Sequence, residues 1–281
     1  MTRHQALLGL HVGALAFGLA GIFGKLALAG PLVIVFGRAL FAVLSLAPVA
    51  RRRNGERHPS ARQVVQLLGS GLLLCGHWLT FFESVKIAGV AVATLGFASF
   101  PAFTVLLEGL LFGERIRRAE WGVVALVSIG LVLVTPHFDI GSEATFGLLL
   151  GVASGLLFAL LSLANRATVQ GLNPMQASLW QNAAIIAVLL PFVWPALPQV
   201  RPLDWLWIGL LGVFCTGVAH SLFVASLRLL KARTASVVFA LEPVYGIAFA
   251  WLLFAEQPSL RMLAGGALIL LATFLSARQG H

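Results

Sequence analysis

Charged side chains are scarce in this sequence: Asp, Glu, Lys and Arg make up only 10% of its 281 residues. A soluble domain of ordinary composition carries about 25%, so too few charges remain here to cover a surface exposed to water. Hydrophobic residues reach 59%, and the mean hydropathy is +0.95. The composition therefore predicts an integral membrane protein.

Cysteine is also rare, and the two that occur, Cys75 and Cys215, lie within apolar runs. No C-x-x-C pair, H-E-x-x-H sequence or other metal-ligand spacing is present, and no nucleotide-binding loop follows a strand pattern. No nucleophile stands at a recognisable spacing from a general base. We therefore expect no metal site, no cofactor and no enzymatic activity, and a membrane-embedded enzyme is a disfavoured alternative.

Long polar segments are nearly absent, because ten apolar stretches follow one another with short connections. Each is close to the ~20 residues that cross a bilayer as a helix. The sizeable polar loop is "ARRRNGERHPSARQ" (50–63). The predicted spans are 6–28, 31–50, 64–82, 88–112, 119–136, 145–167, 174–194, 203–225, 234–255 and 260–277.

The net charge of +9 would suggest a nucleic-acid partner in a soluble chain. Here the basic residues stand between apolar spans, where they indicate orientation instead. Fourteen of the 19 lie on the side that carries the N-terminus, and the other side holds four, Lys25, Lys86, Arg201 and Arg261. We therefore predict that both termini are cytoplasmic. No nucleic acid partner is expected.

The sequence contains an internal repeat. "GFASFPAFTVLLEGLLFGERI" (96–116) aligns without a gap with "VFALEPVYGIAFAWLLFAEQP" (238–258), at an offset of 142 residues. Pro101 matches Pro243 and Glu114 matches Glu256, while Ala255 stands where the first copy has glycine. We predict a first five-helix repeat over residues 1–140 and a second over 141–281, which form one transmembrane domain.

Five is an odd number of spans, so the second repeat enters the membrane from the opposite side. Inverted repeats are typical of transporters, whose substrate sites lie near the membrane midplane between the two halves. A channel is disfavoured, because it would be built from rings of charge in a symmetric oligomer. The fold class expected is all-α, with ten transmembrane helices as two inverted five-helix repeats around a central cavity.

The repeated segments resemble the EamA-type pattern of the drug/metabolite transporter superfamily, and the resemblance covers the whole chain. It implies movement of amino acids, other metabolites or drugs, mostly outward in bacteria. A narrower likeness to the YddG-type aromatic amino acid exporters rests on "GLHVGALAFGLAGIFGKLAL" and "CGHWLTFFESVKIAGVAVATLGFASFP". We therefore expect an exporter of aromatic or large apolar amino acids, working by alternating access. A multidrug or other metabolite exporter is the alternative.

The resemblance also implies a multi-pass protein of the bacterial inner membrane with a small-molecule substrate. A monomer is the expected state, and the sequence leaves an oligomer open. Substrate, direction and proton coupling are not determined by the sequence.

Two ionisable residues lie in the middle of predicted spans. Glu242 is a candidate for charge coupling or for a structural carboxylate, and Arg38 for contact with a substrate or for pairing with Glu242. Pro101 and Pro243 are predicted to kink equivalent helices and are hinge candidates, with a static kink as the alternative. His11 and His220 are further candidates for coupling, because histidine titrates near physiological pH.

Aromatic and amide side chains within the spans are candidates for the cavity wall. Helix–helix hydrogen bonding is the alternative role for the two amides. The predicted cavity residues are His77, Trp78, Phe81, Phe97, Asn165, Trp180, Gln181 and Tyr245. The glycine series of "GLLLGVASG" (147–155) predicts close packing of the sixth helix on the first.

Overall fold

A computed structural model describes residues 3–51, 59–113, 115–135, 142–168, 174–219, 222, 238 and 241–279. These residues form helices and contain no strand. Five helices are long and apolar enough to cross a membrane, and four shorter ones are also apolar. The helices are α1 (Arg3–Leu26), α2 (Pro31–Arg51), α3 (Ala61–Phe97), α4 (Phe100–Phe112), α5 (Arg118–Val134), α6 (Glu143–Thr168), α7 (Pro174–Val193), α8 (Pro202–Leu210, continued by a π-helix over Leu211–Val218), α9 (Glu242–Phe254) and α10 (Leu260–Gln279).

The third and fourth predicted spans meet within α3. A straight helix of its 37 residues would be about 55 Å long, far more than the ~30 Å of a bilayer core. Gly89 breaks it, with φ 85° and ψ 170°, a conformation that is essentially restricted to glycine. The chain reverses there, since the ring of His77 before the break lies 5.1 Å from that of Phe97 after it.

Pro101 and Pro243 do not lie inside helices, contrary to the prediction. Each stands in the first turn of a helix, α4 or α9. The residues before the two helices, Ser99 and Leu241, have nearly equal φ and ψ angles, −73° and −13° against −82° and −10°. Proline fits a first turn because the N–H it lacks has no intrahelical acceptor there. The paired element is thus a helix start rather than a kink.

The two equivalent helices also end alike. Gly113 after α4 has φ 66° and ψ 18°, and Ala255 after α9 has φ 55° and ψ 28°. Both are left-handed, the conformation that commonly ends a helix and favours glycine. Ala255 is the one non-glycine residue with positive φ in the described part of the chain.

The first helix of each repeat packs on the fourth span of the other repeat. In α6, glycines 147, 151 and 155 contact the 88–99 stretch of α3 and its C-terminal end, and a Cβ on Gly151 would lie 3.2 Å from Gly96 Cα. In α1, a Cβ on Gly18 would lie 3.1 Å from the backbone nitrogen of Gly246 in α9. The glycine series therefore mediates close packing as predicted, but its partner is the fourth span and not α1.

The remaining helices complete the bundle around this crossed arrangement. α2 packs on α7 and on the π-helical part of α8, and α5 packs on α10. The largest apolar core is formed mainly by α1, α2 and α3, with contributions from α7 and α8. Of the residues that the sequence singles out, Trp78, Phe81 and Phe97 belong to this core.

Candidate functional site

Arg38 is the most deeply buried charge among these residues, with only 5% of its surface exposed. Its guanidinium carbon lies 3.9 Å from the ring centre of Trp78 and 5.9 Å from that of Phe82. Its Nε donates a hydrogen bond to Thr216 Oγ1 at 2.9 Å. Among the described residues its two terminal amino groups have no hydrogen-bond partner. The guanidinium is thus held by a hydrogen bond at Nε and by stacking of one face on Trp78.

Glu242 is the first residue of α9 and is half-buried. Its carboxyl group and the guanidinium of Arg38 lie close enough for their charges to interact. No ion pair or hydrogen bond joins them, and the described residues provide no other partner for the Glu242 carboxyl. Direct pairing, one of the two alternatives for Arg38, is therefore not what the structure contains.

His77 lies in an aromatic cluster made with Phe81, Phe97 and Phe158. The rings of Phe97 and Phe158 are each centred 5.1 Å from the imidazole. The Nδ1 atom of His77 lies 2.7 Å from Ser154 Oγ, which in turn donates to the His77 carbonyl at 3.1 Å. Both polar residues are buried. His77 thus ties α3 to α6, and its place in the cavity wall stays a prediction.

The two predicted amides meet each other. Gln181 Nε2 donates to Asn165 Oδ1 at 2.7 Å and to Ser70 Oγ at 3.2 Å. These bonds connect α7 with α6 and α3, which is the helix–helix alternative. Trp180, the neighbouring residue on α7, is 39% exposed, so it stands apart from the buried aromatic cluster.

His11 and Tyr245 lie together at the contact of α1 with α9. His11 Nδ1 is 3.4 Å from the hydroxyl of Tyr245. Tyr245 follows Glu242 by one turn of α9, and His11 is exposed. His220 lies outside the described residues.

A second cluster of charges joins the two repeats at one end of the bundle, which we call the Glu256 end. The carboxylate of Glu256, just after α9, forms an ion pair with Lys25 near the end of α1. Its Oε2 accepts hydrogen bonds from the backbone N–H groups of Val90 and Ala91, at 3.1 and 3.4 Å. A Cβ on Gly89 would lie 3.0 Å from the same oxygen. Glu256 therefore binds α1 and the start of the fourth span at once.

Further polar contacts close the same end. Lys86 donates to the carbonyl of Ala27, which lies between α1 and α2. The N–H of Leu28 donates to Asp204 Oδ1 at 2.8 Å, and Arg201 contacts both carboxylate oxygens of Asp204. A surface cavity of about 400 Å³ lies beside the ion pair and is lined by Lys25, Lys86, Gly89 and Glu256 among others.

The predicted residues thus fall into separate groups. Trp78 stacks on Arg38, whose charge interacts with that of Glu242 from the other repeat. His77, Phe81 and Phe97 belong to the aromatic cluster beside them, and the other described candidates lie elsewhere. Phe81 and Phe82, 5.5 Å apart, connect the two groups. In the described parts of the chain, no three His, Cys, Asp or Glu side chains come together as metal ligands.

Sequence reasoning missed Thr216, Gly89 and the role of Glu256. A threonine in an apolar span carries no distinctive signal. For Glu256 a signal existed, because Lys25 and Lys86 are rare basic residues on their predicted side of the membrane and require a counter-charge.

Comparison with known proteins shows the family. The EamA-like transporter family model matches residues 4–135 and 145–278, and so twice. An uncharacterized transporter of Archaeoglobus fulgidus is 27% identical over 269 residues, 95% of this chain and 94% of that protein. The pseudopaline exporter CntI of Pseudomonas aeruginosa is 25% identical over 250 residues, 87% of this chain and 85% of that protein.

A solved crystal structure is similar to this chain in its fold. It aligns with a TM-score of 0.67 at 21% identity and covers 98% of this chain and 96% of its own. At that identity the likeness concerns the fold alone. The helical bundle, its repeated halves and the twofold family match lead to one conclusion: the chain belongs to the EamA-like transporter family and is a multi-pass membrane transporter, not an enzyme.

Proposed function

We propose that the protein exports amino acids, foremost those with aromatic or large apolar side chains, or closely related small metabolites. One observation carries the proposal. The opposite charges of Arg38 and Glu242, one from each repeat, interact without an ion pair between the two side chains. An amino acid zwitterion carries the complementary charges, with its carboxylate suited to Arg38 and its ammonium group to Glu242.

The energetics of Arg38 favour a ligand that brings a carboxylate. A buried charge without a paired partner costs several kcal/mol. The guanidinium matches a carboxylate with two parallel N–H donors, and such charge-assisted bonds are among the strongest in proteins. Its terminal amino groups are the donors left unpaired among the described residues. A substrate carboxylate would use both.

The surroundings favour an apolar side chain on that substrate. Trp78 covers one face of the guanidinium. The ring of Phe82 is centred 5.9 Å from the guanidinium carbon and contacts Phe81, which belongs to the aromatic cluster. Aromatic rings bind other aromatic or large apolar groups by burial of area and by edge-to-face contact. This supports aromatic and large apolar amino acids ahead of small polar ones.

Alternating access is supported by the Glu256 end. The Lys25–Glu256 ion pair and the N–H bonds from Val90 and Ala91 hold parts of both repeats together. The charge asymmetry of the sequence favours an orientation in which this end faces the outer side of the cytoplasmic membrane of a bacterium and both termini lie inside. Release of substrate to the outside then requires these contacts to break. Pro101 and Pro243, at the starts of α4 and α9, are the proposed hinge positions.

A second candidate is export of another metabolite, and one relative favours it. CntI, which is similar to 87% of this chain, is named a pseudopaline exporter. Both candidates share outward transport of a small molecule and differ in what Arg38 and Glu242 recognise.

Uptake and counterflow in proteoliposomes that contain the purified full chain test the proposal. The panel includes phenylalanine, tryptophan, leucine and glycine, together with phenethylamine and 3-phenylpropionate, which lack the carboxylate and the ammonium group respectively. We expect flux of phenylalanine at least about tenfold above that of either truncated analogue, which equals about 1.4 kcal/mol.

The outcome separates the two candidates. Flux of phenylalanine that depends on both charged groups supports amino acid export. Absence of flux for every amino acid overturns it and leaves export of another metabolite. Empty liposomes and liposomes with the Arg38→Gln variant are the controls.

A further inference from the structure

The part of α8 that faces Arg38 is a π-helix, Leu211–Val218. This wider helix is rare and appears frequently at functional sites. The hydrogen bond of the Thr216 hydroxyl reflects the wider helix, because the hydroxyl donates to the carbonyl of Leu211, five residues back, at 3.1 Å. Several other threonines in this protein donate to a carbonyl four residues back, as in an ordinary α-helix. They are Thr80, Thr94, Thr104, Thr135 and Thr273.

The single proton of the Thr216 hydroxyl is used by this bond. Toward Arg38 the oxygen can then only accept, and it accepts from Nε at 2.9 Å. This fixes one corner of the planar guanidinium. The Trp78 ring, 3.9 Å from the guanidinium carbon, fixes its face. A planar group held at a corner and on a face keeps one free edge, which bears the two terminal amino groups.

The backbone of α8 also packs closely against the backbone of α2 at Arg38. A Cβ on Gly212, in the first turn of the π-helix, would lie 2.6 Å from the carbonyl oxygen of Arg38 and 2.5 Å from Phe41 Cβ. Only glycine permits this approach of the two helices. The π-helical turn therefore packs directly on the turn of α2 that carries Arg38. This packing brings Thr216 into contact with the Arg38 side chain.

We propose that Thr216 is a positioning residue that aims the terminal edge of Arg38 at the substrate carboxylate, so that the transporter prefers carboxylates over uncharged amides. The inference rests on the proposed function, since it assigns the means by which Arg38 recognises its ligand. Without the hydroxyl, the guanidinium keeps its charge and its stacking on Trp78 but can turn about the ring face. Affinity for the carboxylate falls, whereas the conformational steps of transport do not change.

The test measures KM and maximal flux for phenylalanine and for phenylalaninamide in proteoliposomes. The variants are Thr216→Val, which keeps the shape but lacks the hydroxyl, and Thr216→Ser, which retains it. Thr273→Val is the matched control, because it removes a hydroxyl that, among the described residues, bonds to its own helix α10 alone. We expect Thr216→Val to raise the KM for phenylalanine about tenfold, with maximal flux changed less than twofold. Thr216→Ser and Thr273→Val should behave as the wild type.

The amide supplies the decisive comparison. The preference for phenylalanine over phenylalaninamide should collapse in Thr216→Val and in Arg38→Lys and persist in Thr216→Ser. A preference lost in Arg38→Lys but intact in Thr216→Val overturns this inference alone. A wild-type protein that takes acid and amide equally overturns this inference, because the carboxylate is then not recognised, whereas absence of flux for every amino acid overturns the proposed function itself. Equal loss in Thr216→Val and Thr216→Ser also contradicts it, because the hydroxyl would then not be the cause.

Discussion

Ala255 closes α9 in the left-handed conformation that Gly113 uses to close α4 at the equivalent position of the other repeat. For an alanine this conformation costs roughly 1–2 kcal/mol, which a glycine would avoid. Part of that stabilisation is lost, because glycine has a larger conformational entropy in the unfolded chain. We expect Ala255→Gly to stabilise the protein by about 0.5–1 kcal/mol. Thermal unfolding in detergent measures it as a higher melting temperature. Gly113→Ala, the reverse substitution at the equivalent position, should lower the melting temperature. A melting temperature of Ala255→Gly below that of the wild type would contradict the prediction.

Gly89 is expected to tolerate no side chain. Its φ of 85° and ψ of 170° suit glycine alone, and a Cβ would stand 3.0 Å from the Glu256 carboxylate. Gly89→Ala should therefore destabilise the protein by about 1–3 kcal/mol and reduce transport. Gly122→Ala is the control, because a Cβ at Gly122 meets nothing within 4 Å. Equal melting temperatures and fluxes for the two variants would show that the chain reversal at position 89 tolerates a side chain.

The Glu256 end should loosen when its central carboxylate loses charge. Glu256→Gln weakens both the ion pair with Lys25 and the N–H bonds at the start of the fourth span. A cysteine placed at Ala91, which lines the adjacent cavity and is only 5% exposed, reports the opening. In intact cells, a membrane-impermeant thiol reagent should label Ala91→Cys several-fold faster in the Glu256→Gln background.

The same labelling experiment has an internal control. The natural cysteines, Cys75 and Cys215, are both buried, so the protein without the Ala91→Cys change gives the background. Labelling that occurs only from the cytoplasmic side would contradict the predicted orientation. An unchanged labelling rate in Glu256→Gln would instead remove Glu256 as a closing element.

Ser154 is expected to matter for stability and not for substrate affinity. It holds His77 through a 2.7 Å contact between α6 and α3. Ser154→Ala removes the hydroxyl partner of His77 Nδ1 and leaves the carbonyl oxygen of Ser154, 3.2 Å away, as its remaining acceptor, which should lower stability by about 0.5–1.5 kcal/mol. KM for the transported substrate should stay at the wild-type value. A raised KM with normal stability would show that His77 contacts the substrate after all, as the sequence predicted.

Glu242 is the residue on which proton coupling is predicted to depend. Its carboxyl lacks a partner among the described residues and lies within reach of the Arg38 charge. Wild-type flux should respond to a pH gradient across proteoliposomes, and Glu242→Gln should carry substrate at the same rate with and without the gradient. Glu242→Asp, which retains an ionisable group, is the control. A gradient response that survives in Glu242→Gln would exclude Glu242 from coupling.

Much of the architecture was predictable because it follows from composition and from the repeat. Apolar length gave the helices, and the offset of 142 residues paired Pro101 with Pro243 and Gly113 with Ala255. The prediction erred on what the prolines do. A proline is compatible with an interior kink or with a first turn, and the difference lies in the backbone angles of the preceding residues, Ser99 and Leu241.

The site was less predictable, because partner choice between helices leaves little trace in a sequence. The glycines of α6 showed that a close contact exists but not that it is made with the fourth span. Asn165 and Gln181 were equally suited to a cavity wall or to each other until the 2.7 Å bond between them was seen. Arg38 and Glu242 were found as charges in apolar surroundings, whereas the hydroxyl that orients Arg38 was not.

The crossed packing of the repeats has a consequence for biosynthesis. α1 emerges from the ribosome long before α9, yet it packs on α9, and its Lys25 pairs with Glu256 just after α9, 231 residues later in the sequence. Because chains are made from the N-terminus, α1 must wait in the membrane without its final neighbour until the last quarter of the protein is inserted. Neither half can complete its own packing alone, so an evolutionary precursor of one repeat would have needed a second copy in the opposite orientation.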